Sequence, residues 1–147
     1  MKRLLLVVTL FGVCCFAAKA DTNSVTYFVQ LIVATNGEKP HDAKAKVGPK
    51  LREQLSPVFQ WADYWEVSRK TVAATVGKHS RIRLDKEREL EVEHVSGERL
   101  VLRLFRNGKL VRKMTGLIPK CRVVMGGDSS HNEAWFIVVR RDEPSTI

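Results

Sequence analysis

The sequence predicts an α+β domain in which one helix packs on a mainly antiparallel β-meander or a small sandwich. Three observations predict this fold class. A strongly β-forming segment comes first, one convincing helix follows it, and six later segments alternate apolar and polar residues at the two-residue period of a strand. A strand, a helix and then a run of antiparallel strands is an order typical of α+β proteins.

The first twenty residues have the pattern of a cleavable export signal. Lys2 and Arg3 form a short basic start, and an uncharged apolar run of fifteen residues follows at 4–18. Ala18-Lys19-Ala20 then matches a small-x-small cleavage site. The apolar run is shorter than the ~20 residues that a membrane span needs, so it favours a signal over a transmembrane helix.

We therefore expect a cleavable signal peptide at 1–20 and a single exported domain at 21–147, with no transmembrane segment in that domain. Retention of the signal as a membrane anchor is the alternative. Loss of three basic residues with the signal lowers the formal net charge from +9 to +6. The chain has no Asn-x-Ser/Thr site for N-glycosylation, which favours a bacterial periplasmic or extracellular location.

The cysteines also divide between the two parts. Two of the three lie in the signal, which leaves Cys121 alone in the exported domain. A single cysteine forms no intrachain disulfide, so the fold must depend on its apolar core. We expect Cys121 to be a small buried side chain in a strand, with intermolecular pairing or a reactive thiol as alternatives. Lipidation at Cys14 is disfavoured, because Val13 precedes it where a small residue is required.

The first elements of the domain follow from local chemistry. Residues 24–35 are rich in β-branched and aromatic side chains and predict a strand that is buried on both faces. Residues 38–47 are polar and lysine-rich and predict a surface loop. Gly48-Pro49 predicts the start of a helix, since proline suits the first helical turn and leucines follow at helical spacing. Pro57 is expected to end or kink that helix.

The remaining strands are predicted by alternation. The candidate segments are 64–76, 80–95 (one or two strands), 99–106, 110–115, 120–125 and 134–141. Asn107-Gly108 predicts a tight two-residue hairpin turn, because both positions tolerate a positive φ. The sequence at 126–133 is typical of a longer hairpin loop.

One strand register can be predicted from side-chain chemistry. A three-residue turn at 96–98 places Val92 opposite Leu102 and Glu91 opposite Arg103. A two-residue turn would instead set glutamates opposite leucines. Cross-strand preferences favour the first register, with the leucines in the core and the charged residues in solvent.

An aromatic cluster provides the first candidate binding residues. Phe59, Trp61, Tyr64 and Trp65 follow the predicted helix closely. Aromatic residues at such a junction usually fill the gap between helix and sheet. The alternative is an exposed stacking platform for a sugar, a base or a peptide, with Trp61 as the exposed ring and Tyr64 beside it.

Basic residues around the Asn107-Gly108 hairpin provide the second candidates. A regular hairpin places Arg103 opposite Arg112, which is unfavourable unless an anion or an acidic side chain lies between them. Glu91 on the neighbouring strand would supply that charge and form a solvated charge ladder. The alternative is binding to an anionic polymer or to membrane headgroups through Arg103 and Arg112.

Motifs for catalysis, metal binding and cofactor binding are missing from the sequence. The four histidines are dispersed, and no pair has the spacing of metal ligands. Asp128, Ser129 and His131 are too close in the chain to converge as a triad, and turn formation explains them better. We therefore expect no catalytic residues, no metal and no cofactor. Export and the lack of a recognition motif also disfavour nucleic acid as a partner.

The helix that runs into the aromatic segment 59–65, the alternating strands and the closing Gly126-Gly127 hairpin define an overall pattern. In this pattern, residues 25–141 resemble small exported bacterial domains of unassigned function. The resemblance implies no site residues. Together these features predict a non-catalytic binding or structural module of the cell envelope, with an envelope protein or an anionic polymer as partner. The alternatives are an extracytoplasmic hydrolase with dispersed site residues, or an assembly partner that uses the edge of strand 134–139.

Overall fold

The structure is a computed structural model that describes residues 24–97, 99–117, 123–127 and 132–145. These residues form nine strands and one helix. The elements are β1 (Ser24–Thr35), β2 (Ala45–Lys46), α1 (Pro49–Phe59), β3 (Asp63–Thr75), β4 (His79–Arg83), β5 (Arg88–Ser96), β6 (Arg99–Arg106), β7 (Lys109–Leu117), β8 (Val123–Gly126) and β9 (Glu133–Arg140).

The strands form two sheets in which neighbouring strands are antiparallel. The five-stranded sheet has the order β2-β3-β1-β9-β8, and the four-stranded sheet has the order β4-β5-β6-β7. Mostly antiparallel strands with one short helix agree with the predicted α+β class. No helix in the described ranges is long and apolar enough to cross a membrane.

Strand β1 lies at the centre of the five-stranded sheet and confirms the prediction of a strand buried on both faces. Tyr27, Val29 and Leu31 belong to a core that also contains apolar side chains of the four-stranded sheet. Ile32 and Ala34 point the other way, into a second core shared with the helix. Because successive side chains alternate between faces, this one strand holds the two cores together.

The helix begins at the predicted residue but continues past the predicted end. Gly48 is its N-cap and Pro49 opens the first turn. Pro57 lies inside the last turn and does not end the helix. Proline has no N–H, so Pro57 leaves the Glu53 carbonyl without its usual helical donor. Both residues are exposed, so water can donate to that carbonyl instead. The helix ends at Gln60, which has a φ of 54° and donates its N–H to the Ser56 carbonyl over 3.0 Å.

The predicted pairing between β5 and β6 is confirmed, but the predicted three-residue turn at 96–98 is wrong, because Ser96 pairs with Arg99 and the register shifts between His94 and Ser96. Val92 pairs with Leu102, and Glu91 pairs with Arg103. The tight turn between β6 and β7 is also confirmed, since Asn107 and Gly108 have φ values of 50° and 77°.

The predicted opposition of Arg103 and Arg112 is wrong by one residue. The register between β6 and β7 shifts next to Leu104, so that Arg103 pairs with Lys113 and Leu104 pairs with Arg112. Val111 is the extra residue of the bulge, and it remains exposed. Paired residues share a face, so Arg103 and Arg112 lie on opposite faces of the four-stranded sheet.

The alternative in which 134–139 forms an exposed sheet edge is contradicted as well. Strand β9 pairs with β1 on one side and with β8 on the other. An almost fully apolar strand gains most when both of its edges and both of its faces are covered. Within the described residues, the sheets end instead at β2 and β8, and at β4 and β7.

The segment predicted as a surface loop at 38–47 is more ordered than expected. It contains the short strand β2, which pairs with Glu66 and Trp65, and it buries Ala43 and Val47. Three further predictions lie outside the described residues: the signal peptide at 1–20, the environment of Cys121, and the turn at 128–131.

Candidate functional site

A row of three apolar side chains crosses the five-stranded sheet at one end. Val33 on β1 pairs with Trp65 on β3 and with Trp135 on β9, so the three side chains lie on one face. The two tryptophans are about 10 Å apart, since neighbouring strands are separated by ~4.8 Å. All three residues are partly exposed, whereas Leu31, one step further into the same face, is buried in the core between the sheets.

A cleft of about 280 Å³ opens beside this row and is lined by Val33 and Trp135 but not by Trp65. We call it the aromatic cleft and define it by Val33, Val67, Trp135, Asp42, Asp85 and Arg88. The apolar residues come from three strands of the five-stranded sheet and form the floor. Asp42 comes from the loop after β1, Asp85 comes from the connection between β4 and β5, and Arg88 is the first residue of β5. The cleft therefore lies where the two sheets and their loops meet.

Arg88 covers the indole of Trp135. Its guanidinium carbon is 4.8 Å from the ring centroid, and its Nη1 donates to Asp85 Oδ2 over 2.6 Å. The side chain is only 16% exposed, and its buried Nε has no acceptor in the described residues. A partly desolvated cation over an indole contributes about 1–2 kcal/mol, so the contact fixes both side chains.

Asp85 holds this arrangement in place. Its Oδ1 accepts the backbone N–H groups of Glu87 at 2.9 Å and of Arg88 at 2.6 Å. An aspartate that accepts the N–H groups two and three residues further on makes a tight local turn. The same carboxylate thus fixes the backbone of the turn and, through Oδ2, the guanidinium of Arg88.

Gly127 lies in close contact with the indole of Trp135. A Cβ atom placed on Gly127 would lie 1.5 Å from Cζ2 and 1.9 Å from Cε2 of the indole, which is a severe overlap. The N–H of Gly127 also donates to the Trp135 carbonyl over 3.2 Å. Residue 127 must therefore lack a side chain for the indole to keep its position.

The structure brings one predicted binding residue to this region. Arg112 Nη1 donates to the carbonyl of Gly126 over 2.8 Å. Arg112 also lines a smaller cleft of about 160 Å³ on the Gly127 side of Trp135, together with Leu104 and Arg106. The bulge in β7 explains this position, because it turns Arg112 to the same face as Leu104.

Arg103, the other predicted basic residue, belongs to a charge ladder on the outer face of the four-stranded sheet. Its guanidinium donates to Glu91 over 2.9 Å and to Glu93 over 2.8 Å. The hydrogen bond from Arg103 holds the pKa of Glu93 below its ordinary value, and the one from Arg83 does the same for Glu89. These contacts confirm the charge-ladder interpretation, in which Glu91 supplies the charge beside Arg103.

The two predicted aromatic residues fill the gap between helix and sheet. Tyr64 is 1% exposed, and its hydroxyl accepts the backbone N–H of Trp61 over 3.3 Å. Trp61 was expected to be exposed, but it is half-buried against the second core. Phe59 packs on Phe136 with ring centroids 4.4 Å apart. Because side chains alternate along β3, Trp65 lies on the face opposite to Tyr64, in the row with Val33 and Trp135.

A second and larger cleft, of about 560 Å³, continues from the aromatic cleft. We call it the lysine cleft and define it by Lys44, Lys70, Lys86, Asp85, Arg88 and Arg106. It shares Asp42, Val67, Asp85 and Arg88 with the aromatic cleft. Its three lysines are exposed and come from three different elements: the segment before β2, strand β3 and the β4–β5 connection.

Sequence reasoning missed the central pair of this site. Trp135 was predicted only as part of the strand segment 134–141, and Arg88 only as part of the strand segment 80–95. Asp85, followed by two charged residues and Arg88, carries a weak local signal for the turn. Nothing local indicates that this turn lies over β9, because that contact depends on how the two sheets pack.

In the ranges that the structure describes, no three His, Cys, Asp or Glu side chains are grouped so that they could hold a metal ion. Comparisons with protein-family models, with curated proteins and with solved structures gave no match.

Proposed function

We propose that this chain is a non-catalytic, exported binding module of the cell envelope and that its ligand occupies the aromatic cleft. The observation that carries the proposal is the Arg88–Trp135 pair at the floor of an open cleft. Asp42 and Asp85 stand on its walls. An apolar floor with a few fixed polar groups is the usual composition of a ligand site.

The site is organised before a ligand arrives, which supports a binding role. Asp85 fixes Arg88, and Arg88 together with Gly127 fixes the indole of Trp135. A preformed site loses little conformational entropy when it binds. The two sheets, which we interpret as a small sandwich, provide the rigid support.

The nature of the partner follows from charge and location. The export pattern at 1–20 supports a partner in the envelope, and the net charge of +6 after removal of the signal supports an anionic one. We therefore propose an anionic envelope polymer as the partner and keep an envelope protein as the second possibility. The proposed location is the bacterial periplasm or the extracellular space.

The experiment uses the domain 21–147 immobilised on a support, with fractionated envelope polysaccharide as the probe. Bound sugar is quantified for the unchanged domain, for Trp135→Leu and for the control Trp61→Leu. Both variants remove a half-buried indole, but only Trp135 lies in the cleft. We expect Trp135→Leu to weaken retention by about tenfold, which corresponds to ~1.4 kcal/mol, and we expect the control to retain sugar normally. Equal retention by both variants, or no retention by the unchanged domain, would contradict the proposal.

A further inference from the structure

We propose that the lysine cleft binds a phosphate group and that the complete ligand is a phosphorylated sugar, with its hydroxyl groups in the aromatic cleft. This inference rests on the proposed function, because the two clefts share Asp85 and Arg88 and form one continuous depression.

The positive charge of the lysine cleft is not neutralised within the cleft. In the ranges described, none of Lys44, Lys70 and Lys86 makes an ion pair. Of the three acidic residues in the lining, Asp85 pairs with Arg88, Glu87 pairs with Arg106 over 3.2 Å, and Asp42 contacts His41 over 3.2 Å. Five basic side chains line the same cleft, so positive charge remains in excess. Three unpaired ammonium groups around one cleft repel each other, and a bound anion would remove that repulsion.

The arrangement of the lysines suits phosphate better than carboxylate. The three lysines come from three separate elements of the fold. A phosphate presents its oxygens in a tetrahedron and can accept from several directions, whereas a carboxylate is planar and best matched by a single guanidinium. The volume of about 560 Å³ also accommodates more than one small ion.

The neighbouring aromatic cleft disfavours a second anion and a stacked base. Asp42 and Asp85 line both clefts, but the aromatic cleft adds Glu133 and no lysine, whereas the lysine cleft adds three lysines. Carboxylates accept hydrogen bonds from hydroxyl groups but repel phosphate. Arg88 already covers Trp135, and Gly127 lies against its six-membered ring, so the indole does not offer a free face to a nucleobase. A polyhydroxylated ring that carries a phosphate fits both clefts.

The first experiment measures binding of the domain 21–147 by calorimetry. The probes are glucose 1-phosphate, glucose, inorganic phosphate and AMP. We expect glucose 1-phosphate to bind at least about tenfold more tightly than glucose or inorganic phosphate, and to weaken as salt is raised. Equal affinity for inorganic phosphate, or tighter binding of AMP, would overturn the sugar-phosphate assignment.

The second experiment compares two triple variants of equal charge. Lys44→Gln, Lys70→Gln and Lys86→Gln together remove the cleft lysines. Lys50→Gln, Lys109→Gln and Lys113→Gln together remove three exposed lysines that do not line either cleft. We expect only the first triple variant to lose binding of glucose 1-phosphate, by about tenfold or more, with an unchanged circular dichroism spectrum. Equal loss in both variants would show a non-specific charge effect and would overturn the proposal.

Failure of this inference can be distinguished from failure of the proposed function. Suppose that the unchanged domain retains sugar, that Trp135→Leu does not, and that neither the cleft-lysine variant nor salt changes retention. The phosphate inference then fails, and the binding function remains. If the unchanged domain retains no polymer, the proposed function fails. Retention of a soluble phosphorylated polysaccharide or of vesicles that contain phosphatidylinositol supports the inference and identifies the source of the sugar phosphate.

Discussion

Arg88 lies over Trp135, with 4.8 Å between the guanidinium carbon and the ring centroid. The two residues belong to different sheets, since Arg88 begins β5 and Trp135 lies in β9. The contact therefore joins the two sheets at the aromatic cleft. It is at once a structural contact and the centre of the proposed binding site.

Replacement of Arg88 tests the structural part of this contact. We expect Arg88→Met to lower the free energy of unfolding by about 1–2 kcal/mol, because the cation no longer covers the indole. Urea denaturation followed by tryptophan fluorescence measures the loss. Arg99→Met is the control, since Arg99 is an exposed arginine of β6. An equal loss in both variants would show that the contact with Trp135 does not stabilise the fold.

Gly127 tests whether the indole of Trp135 is held in one position. We expect Gly127→Ala to destabilise the domain by about 1–3 kcal/mol, as overpacking of a closed contact does. The new methyl group would overlap the indole, so tryptophan emission should also shift. Gly37→Ala is the matched control, because a Cβ there meets nothing within 4 Å. Unchanged stability and emission in Gly127→Ala would contradict the described packing.

The charge ladder predicts how stability depends on pH. The hydrogen bond from Arg103 places the pKa of Glu93 below the ordinary value of 4.5 in the folded state. The unfolded state therefore binds more protons as the pH falls, so this contribution is complete above 4.5 and is lost as the pH falls through the folded pKa.

As the pH is lowered below about 4.5, the free energy of unfolding should fall less steeply in Arg103→Gln than in the unchanged domain. The side-chain carboxyl of Glu93 can be titrated by NMR in both proteins, and its pKa should rise in the variant. Identical titration curves would be inconsistent with the hydrogen bond.

A buried ion pair should matter more than an exposed one. Glu66 is almost buried, and it accepts hydrogen bonds from Gln30 at 2.5 Å and from Arg69 at 2.9 Å. We expect Arg69→Met to cost about 3 kcal/mol or more, because it leaves a buried carboxylate without its cation. The comparison is Arg83→Met, which breaks a more exposed pair with Glu89 and should cost much less. Similar losses in chemical denaturation would argue against the burial of Glu66.

The parts of the fold that sequence predicts are those with local causes. Strand β1, the helix start at Pro49 and the Asn107-Gly108 turn depend on side chains next to each other in the chain. The register of β5 and β6 is also predictable, because a short turn leaves few alternatives and cross-strand pairs choose between them.

The parts that sequence does not predict have distant causes. The bulge at Val111 depends on the twist and packing of the sheet, and it reverses the face on which Arg112 lies. The inner position of β9 depends on its pairing with β1, which is far away in the chain. The Arg88–Trp135 pair depends on both sheets at once, so the candidate site could not be assembled from any single segment.

The central position of β1 also has a consequence for the order of events during folding. Its two partners are β3 and β9, and β9 is the last strand of the described chain. Until β9 arrives, β1 has one unpaired edge, and neither core can close. Contacts of such large sequence separation form slowly, so a growing chain cannot complete this fold before its C-terminal strand has been made.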